Sequence, residues 1–162
     1  MADAAEPSEL LTTDAVRLGC TATDRFDAVR QAGELLIEIG AVQPAYAEAM
    51  QERERSLSSF VGEGFAIPHG TDESRVHIDR AAVAFLQFPD GIEWDVDEDE
   101  HVSACLAIAA KSEEHVTVMA QLARILVEPD QAEELRTTTD PDRVVELLAP
   151  SEVAEEEPEP AG

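Results

Sequence analysis

The chain has 162 residues, a 44% hydrophobic fraction, and 36 acidic against 11 basic residues, for a formal net charge of −25. That length and apolar content fit one folded domain with a real core. The charge argues against nucleic acid and anionic membrane as partners, because both would be repelled.

No apolar run is long enough to span a bilayer, so no direct membrane insertion is expected. The opening MADAAEPSEL has neither the positive region nor the apolar segment of a signal peptide, and a cytoplasmic location is expected. Lys111 is the only lysine. A surplus of Asp and Glu with so little Lys is the surface expected in a high-salt cytoplasm, where the Debye length falls to about 3 Å near 1 M salt and self-repulsion is screened. The source is therefore expected to be a halophile; the bland alternative is an acidic regulatory protein from an ordinary cell.

Residues 1–10 and the acidic segment 150–162 are expected to be disordered tails around one domain at 11–149. The spacing of Phe26, Val29, Gly33, Leu36 and Ile37 predicts a helix over 26–39, capped by Asp24 and ended by Gly40. A second helix is predicted from Pro44, a favoured first-turn residue, to about Arg53. GFAIPHG predicts a short strand ending in a turn at His69. RAAVAFLQF at 80–88 reads as a strand, DGIEWDVDEDEH as a loop or hairpin, and VSACLAIAA at 102–110 as a buried strand. KSEEHVTVMAQLARIL predicts a helix with Ser112 as its cap, Glu113 and Glu114 in its first turn, and Val118, Met119, Leu122, Ile125 and Leu126 as its stripe. A last helix is predicted from Asp140 and Pro141. This alternation indicates an α/β domain, one sheet covered by helices.

Few chemistries fit the polar residues. His69, Asp72 and His77 form the nearest metal-ligand grouping, but they lack the close spacing of a zinc motif, so no metal is expected. Gly62 and Gly64 complete neither a dinucleotide nor a P-loop fingerprint. Cys20 and Cys105 sit among apolar residues, as buried free thiols do, without the polar setting that lowers a thiol pKa.

A histidine nucleophile remains. A neutral imidazole can take a phosphoryl group on one nitrogen if it is exposed at a loop edge, has its tautomer fixed through the other nitrogen, and faces cations or N–H donors. His69 has that local context, with Pro68 before it and turn residues around it, and Arg53 is a candidate cation. His115 falls in the first turn of its predicted helix, where the dipole disfavours imidazolium and a neutral ring can donate to a phosphoryl oxygen. The bland reading of His115 is a satisfied surface histidine, and His77 and His101 keep that reading.

Four segments carry a resemblance. AMQERERSLSSFVGEGFAIPHGT, with its Arg-Glu pair ahead of Gly-Phe-Ala-Ile-Pro-His-Gly, together with FLQFPDGIEWD, CLAIAAKSEEHVTVMAQLARIL and VRQAGELLIEIGAVQPAYAEAM, resembles the enzyme IIA domains of the mannitol/fructose class in the bacterial sugar phosphotransferase system. The likeness runs from about residue 11 to 149, nearly all of the folded part. It implies a single mixed β-sheet flanked by helices on both faces. It also implies His69 as the phosphorylated histidine, His115 as the assisting histidine and Arg53 as the active-site arginine; Glu63 matches an acidic family position whose role is left open.

The resemblance further implies a phosphotransferase relay without a cofactor. The phosphocarrier HPr gives its phosphoryl group to His69, which passes it to a cysteine of an enzyme IIB domain, and through IIB to a sugar entering by the membrane component IIC. Fructose is expected ahead of mannitol. The alternative within the family is a regulatory IIA-type protein that signals by phosphorylation-dependent binding; an α/β interaction module with inert histidines is the bland reading. The chain is expected to stand alone, whereas many family members are fused to IIB or IIC. Docking beside His69 is expected to rest on apolar contacts, since salt screens steering charges. Phe65 and Ile67 point the same way along a strand and are expected in the core rather than on the docking surface.

Overall fold

Among the described residues, five strands form one mixed sheet. In chain order they are β1 (Val16–Arg17), β2 (Phe60–Gly62), β3 (Phe65–Ala66), β4 (Ala82–Asp95) and β5 (Glu100–Ala109), arranged β1-β4-β5-β3-β2. The computed structural model describes residues 11, 13–71, 73–95, 100–110, 120 and 122–148. β4 and β5 pair antiparallel at the centre, with Val83 opposite Ile108 and Phe85 opposite Leu106. Every residue from Ala82 to Phe88 and from Ala104 to Ala110 is buried, which explains why both runs are apolar without alternation. The flanking pairs are parallel, β1 on β4 and β3 on β5.

β4 is longer than the expected strand at 80–88. It continues through Pro89 to Asp95, with a register shift between Gln87 and Ile92 and Gly91 at φ +80°. Pro89 has no N–H to give a ladder and falls in that irregular stretch. Of the two readings of DGIEWDVDEDEH, the hairpin holds; residues 96–99 lie outside the described residues.

The short strand expected in GFAIPHG is β3 (Phe65–Ala66), and β2 was not anticipated. They form a hairpin whose two loop residues, Glu63 and Gly64, have φ +55° and +83°. A two-residue loop with both central residues left-handed matches the twist of the flanking strands. Glycine takes that conformation at no steric cost; Glu63 does not, so other contacts must hold it.

Helix α1 spans Arg25–Glu38, and the Asp24 side chain accepts from the Asp27 amide at 2.9 Å. Its inner face carries Ala28, Val29, Ala32, Leu35 and Leu36, and Gly40 at φ +79° follows its end. Helix α2 spans Pro44–Ser56, past the expected limit at Arg53. A short 3₁₀ helix, Glu73–His77, follows the His69 loop. Residues 122–126 are helical, with Leu122 and Leu126 buried. The rest of that predicted helix, Ser112, Glu113, Glu114, Val118 and Met119 included, lies outside the described residues, as do the tails expected at 1–10 and 150–162.

Helix α3 (Pro129–Thr137) was not anticipated, although Pro129 marks its first turn and Ala132 and Leu135 its buried side. Helix α4 (Pro141–Leu148) begins as expected, with the Asp140 carboxylate accepting from the Asp142 amide at 3.0 Å. The architecture is the expected one, a mixed sheet flanked by helices. Among the described residues no helix is long and apolar enough to cross a membrane.

The α1–α2 contact is close because Gly33 has no side chain. A Cβ there would lie 2.8 Å from the Ala47 Cβ. Gly33→Val is expected to push the helices apart and to lower unfolding free energy by about 1–3 kcal/mol, read from the urea midpoint in high salt.

Candidate functional site

His69 sits at the exit of β3, directly after Pro68, and its ring is half-buried. The backbone leading to it is tied down at each step. The Ile67 amide donates to Ser59 O at 2.9 Å, and the Ile108 amide donates to Pro68 O at 3.0 Å. Phe65 and Ile67 are both buried, so they belong to the core, as expected.

The His69 ring turns back on its own strand. Nδ1 lies 2.9 Å from the Ile67 carbonyl oxygen. A carbonyl only accepts, so Nδ1 carries the proton and Nε2 carries the lone pair. Burial pushes the imidazole pKa down. The Ile67 bond and the Glu54 carboxylate oppose that shift, and the charges of Arg53 and Arg75 reinforce it, with the net direction downward. The ring is therefore neutral near pH 7, with its lone pair on Nε2.

Both cations reach this place from ordered elements. Arg53 lies in the last turn of α2 and donates through Nη1 to Leu57 O at 2.7 Å, which folds its side chain over the helix end. Arg75 comes from the 3₁₀ turn after the loop. The charges of Arg53 and Arg75 both act on the His69 ring, and Arg75 is a cation that sequence reasoning missed. His115 and Asp72 lie outside the described residues. His101 is exposed, with Nε2 4.0 Å from the Glu93 carboxylate.

Beside Arg53 lies a carboxylate of the opposite character. Glu54 is 1% exposed. It accepts from Ser59 Oγ at 2.7 Å, from the Ser59 amide at 3.2 Å and from Trp94 Nε1 at 2.9 Å. The Arg25 Nε is buried 3.6 Å from its Oε2, an ion pair rather than a hydrogen bond. These contacts join α1, α2, the loop before β2, and β4 at one point. Ser59 in turn receives the Ile67 amide, so the network lies directly behind the His69 strand.

The Glu63–Gly64 turn is held from α3. Arg136 donates through Nη1 to Glu63 O at 2.6 Å, stacks 5.8 Å from the Phe65 ring centroid, and places its Cδ 3.0 Å from where a Gly64 Cβ would stand. Cys105 is buried and Cys20 half-buried, both as free thiols, and burial pushes both pKa values up. Neither is a nucleophile at neutral pH.

A neutral imidazole with its lone pair on Nε2, in the field of two guanidinium charges, suits attack on an anionic phosphorus centre. The family model for the phosphoenolpyruvate-dependent sugar phosphotransferase system, EIIA 2, matches residues 9–150. The chain belongs to this family. It is 41% identical over 138 residues to a multiphosphoryl transfer protein of Xanthomonas campestris pv. campestris, covering 85% of this chain but only 16% of that larger protein. It is 34% identical over 146 residues to a mannitol-specific phosphotransferase enzyme IIA component of Staphylococcus aureus, covering 90% of this chain and 93% of that one. Among solved structures it is similar to the complex of enzyme IIAMTL and phosphorylated enzyme IIBMTL from Escherichia coli, with a TM-score of 0.80 and 36% identity over 85% of this chain and 96% of that one. As an EIIA domain, the chain places its Pro-His-Gly stretch at the end of β3, on the edge side of the central β4–β5 pair.

Glu54→Ala leaves the Trp94 indole N–H and both Ser59 donors without their buried acceptor, and Arg25 without its paired charge. A loss of about 3–5 kcal/mol in unfolding free energy is expected, read from chemical denaturation, with Glu54→Gln intermediate because its amide oxygen still accepts.

Proposed function

We propose that the protein is a phosphoryl carrier of a sugar phosphotransferase system, with His69 as the phosphorylated residue. The observation that carries this reading is the bond from His69 Nδ1–H to Ile67 O, which fixes the tautomer and leaves the Nε2 lone pair as nucleophile. The donor is a phosphohistidine on HPr. The Nε2 lone pair attacks phosphorus, the donor's N–P bond breaks, and its electron pair returns to the donor imidazole. In the second half a cysteine thiolate of enzyme IIB attacks the same phosphorus, and the N–P pair returns to Nε2. Each N–P bond is labile, so each step is close to balanced and needs little more than alignment and charge stabilisation.

Arg53 and Arg75 supply positive charge for the equatorial oxygens, and His115 donates a hydrogen bond to one of them. The surface around the site suits protein partners: Leu57 and Val76 are 63% and 73% exposed, next to the Arg53 and Arg75 contacts respectively. Apolar docking of this kind keeps its strength in high salt, where long-range steering is screened. A net charge of −25 with one lysine supports work in the cytoplasm of a halophile. For the sugar, the relative whose length the chain spans at 93% is a mannitol-specific component, which supports mannitol ahead of the fructose expected from the sequence. Enzyme IIC would make that choice, because the carrier never touches sugar.

Incubation with phosphorylated HPr in high salt is expected to give one phosphate-sized mass gain, absent in His69→Ala. Arg53→Ala is expected to slow labelling by about a hundredfold without removing the acceptor, the size of effect usual for loss of one charge-stabilising donor, and His115→Ala to slow it less. Equal labelling of all three variants and the wild type overturns the assignment.

The lowered His69 pKa sets the pH dependence. Acceptance needs the neutral ring, and a lowered pKa keeps it neutral through the usual histidine range. Labelling rates are expected to begin falling at a lower pH than they would for a free imidazole, whose pKa is about 6.5. A fall that begins above pH 7 contradicts the assigned environment.

A further inference from the structure

We propose that Tyr46 is a positioning residue for the reacting histidine, acting through its hydroxyl on the peptide that follows His69. The inference rests on the carrier reading above and adds to it a residue that touches neither the ring nor the phosphoryl group.

Tyr46 lies in the first turn of α2 and is 2% exposed. Its hydroxyl accepts from the Gly70 amide at 3.0 Å and donates to the Ile108 carbonyl at 2.9 Å. The Ile108 amide meanwhile donates to Pro68 O at 3.0 Å. The peptide before the His69 Cα and the peptide after it are thus both anchored to one residue near the C-terminal end of β5, the first directly and the second through the Tyr46 oxygen. Ile108 is itself paired with Val83 at the centre of the sheet. With both flanking peptides held, the Cα–Cβ direction of His69 is set, and the ring reaches the Ile67 carbonyl without searching.

The fit around Gly70 has the same purpose. A Cβ on Gly70 would lie 2.7 Å from Tyr46 Cε1 and 2.5 Å from Ser74 Oγ, so the loop descends onto the Tyr46 ring as only glycine permits. Burial raises the phenol pKa, against the opposing pull of the Gly70 N–H and the Arg75 charge, so the hydroxyl remains a donor throughout the working pH range. Tyr46 and Arg53 are two helical turns apart on α2, so one rigid helix sets the loop at one end and supplies the cation at the other. In-line transfer depends on such alignment, and small misplacement of a reacting group is costly in rate.

The test compares Tyr46→Phe, which keeps the ring and removes only the oxygen, with Val144→Ala, a buried change in α4 remote from His69 that controls for stability loss. The first measurement is the rate of phosphate acceptance from phosphorylated HPr. The second is the His69 tautomer ratio from imidazole ¹⁵N shifts in the unphosphorylated protein. The expected result is a roughly tenfold slower acceptance and a mixed tautomer population in Tyr46→Phe, with neither change in Val144→Ala. Wild-type acceptance and an unchanged Nδ1–H tautomer in folded Tyr46→Phe overturn the proposal, as does equal slowing in both variants. If the wild type takes no phosphate, the carrier reading fails by itself, and the tautomer ratio still decides whether Tyr46 sets the ring. If Tyr46→Phe does not fold, amide exchange in the wild type decides: protection of Gly70 matching that of Ile108 supports the link, and exchange at the open-loop rate overturns it.

Discussion

The Ile67 carbonyl and the His69 ring are two residues apart, and their 2.9 Å contact governs what the site can do. An imidazole in water samples both tautomers. Here one of its nitrogens is given an obligate acceptor, and the choice is made by covalent proximity rather than by a distant partner. The carbonyl can serve because Ile67 is itself immobile, buried in the core and bonded through its amide to Ser59. Reactivity at Nε2 is thus an outcome of strand geometry, and the strand is held by the sheet.

Behind that strand the chain spends a buried charge. Glu54 neighbours Arg53 in sequence, yet the two point to different environments: the arginine over the helix end onto the Leu57 carbonyl, the glutamate into the interior against Ser59, Trp94 and Arg25. A buried carboxylate is costly unless its lone pairs are filled, and here they are. Removing one side of such an arrangement costs far more than never having built it, so the network fixes the relative placement of α1, α2 and β4. It also puts a negative charge near the proposed phosphoryl acceptor; the pull of Arg53 and Arg75 outweighs it at His69.

Much of this was visible in the sequence where one local cause was sufficient. The Asp24 and Asp140 caps, the Pro44 start and the unbroken apolar runs at β4 and β5 need no distant partner to be recognised. The Pro-His-Gly stretch pointed to His69 for the same reason. What escaped depended on contacts between elements. Glu63 adopts a positive φ beneath Arg136, so the β2–β3 hairpin is stabilised from a helix more than sixty positions away, although the Gly-Glu-Gly triplet hinted at it. Arg75 shows its importance only after the chain turns back beside His69. Tyr46, Met50 and Glu54 recur at helical spacing and are all buried, a stripe that period alone would have marked, but an acidic residue on it reads as surface until Trp94 and Ser59 are seen around it.

Cys105 lies in the same strand as Ile108, opposite Leu86, sealed from solvent with its thiol held protonated. A phosphorylated imidazole is a reactive electrophile, and an accessible sulfur within the same molecule would drain it into a dead-end thioester of phosphoric acid. By keeping Cys105 buried and protonated, the fold closes that route inside the sheet, and the cargo of the proposed carrier waits for a second protein.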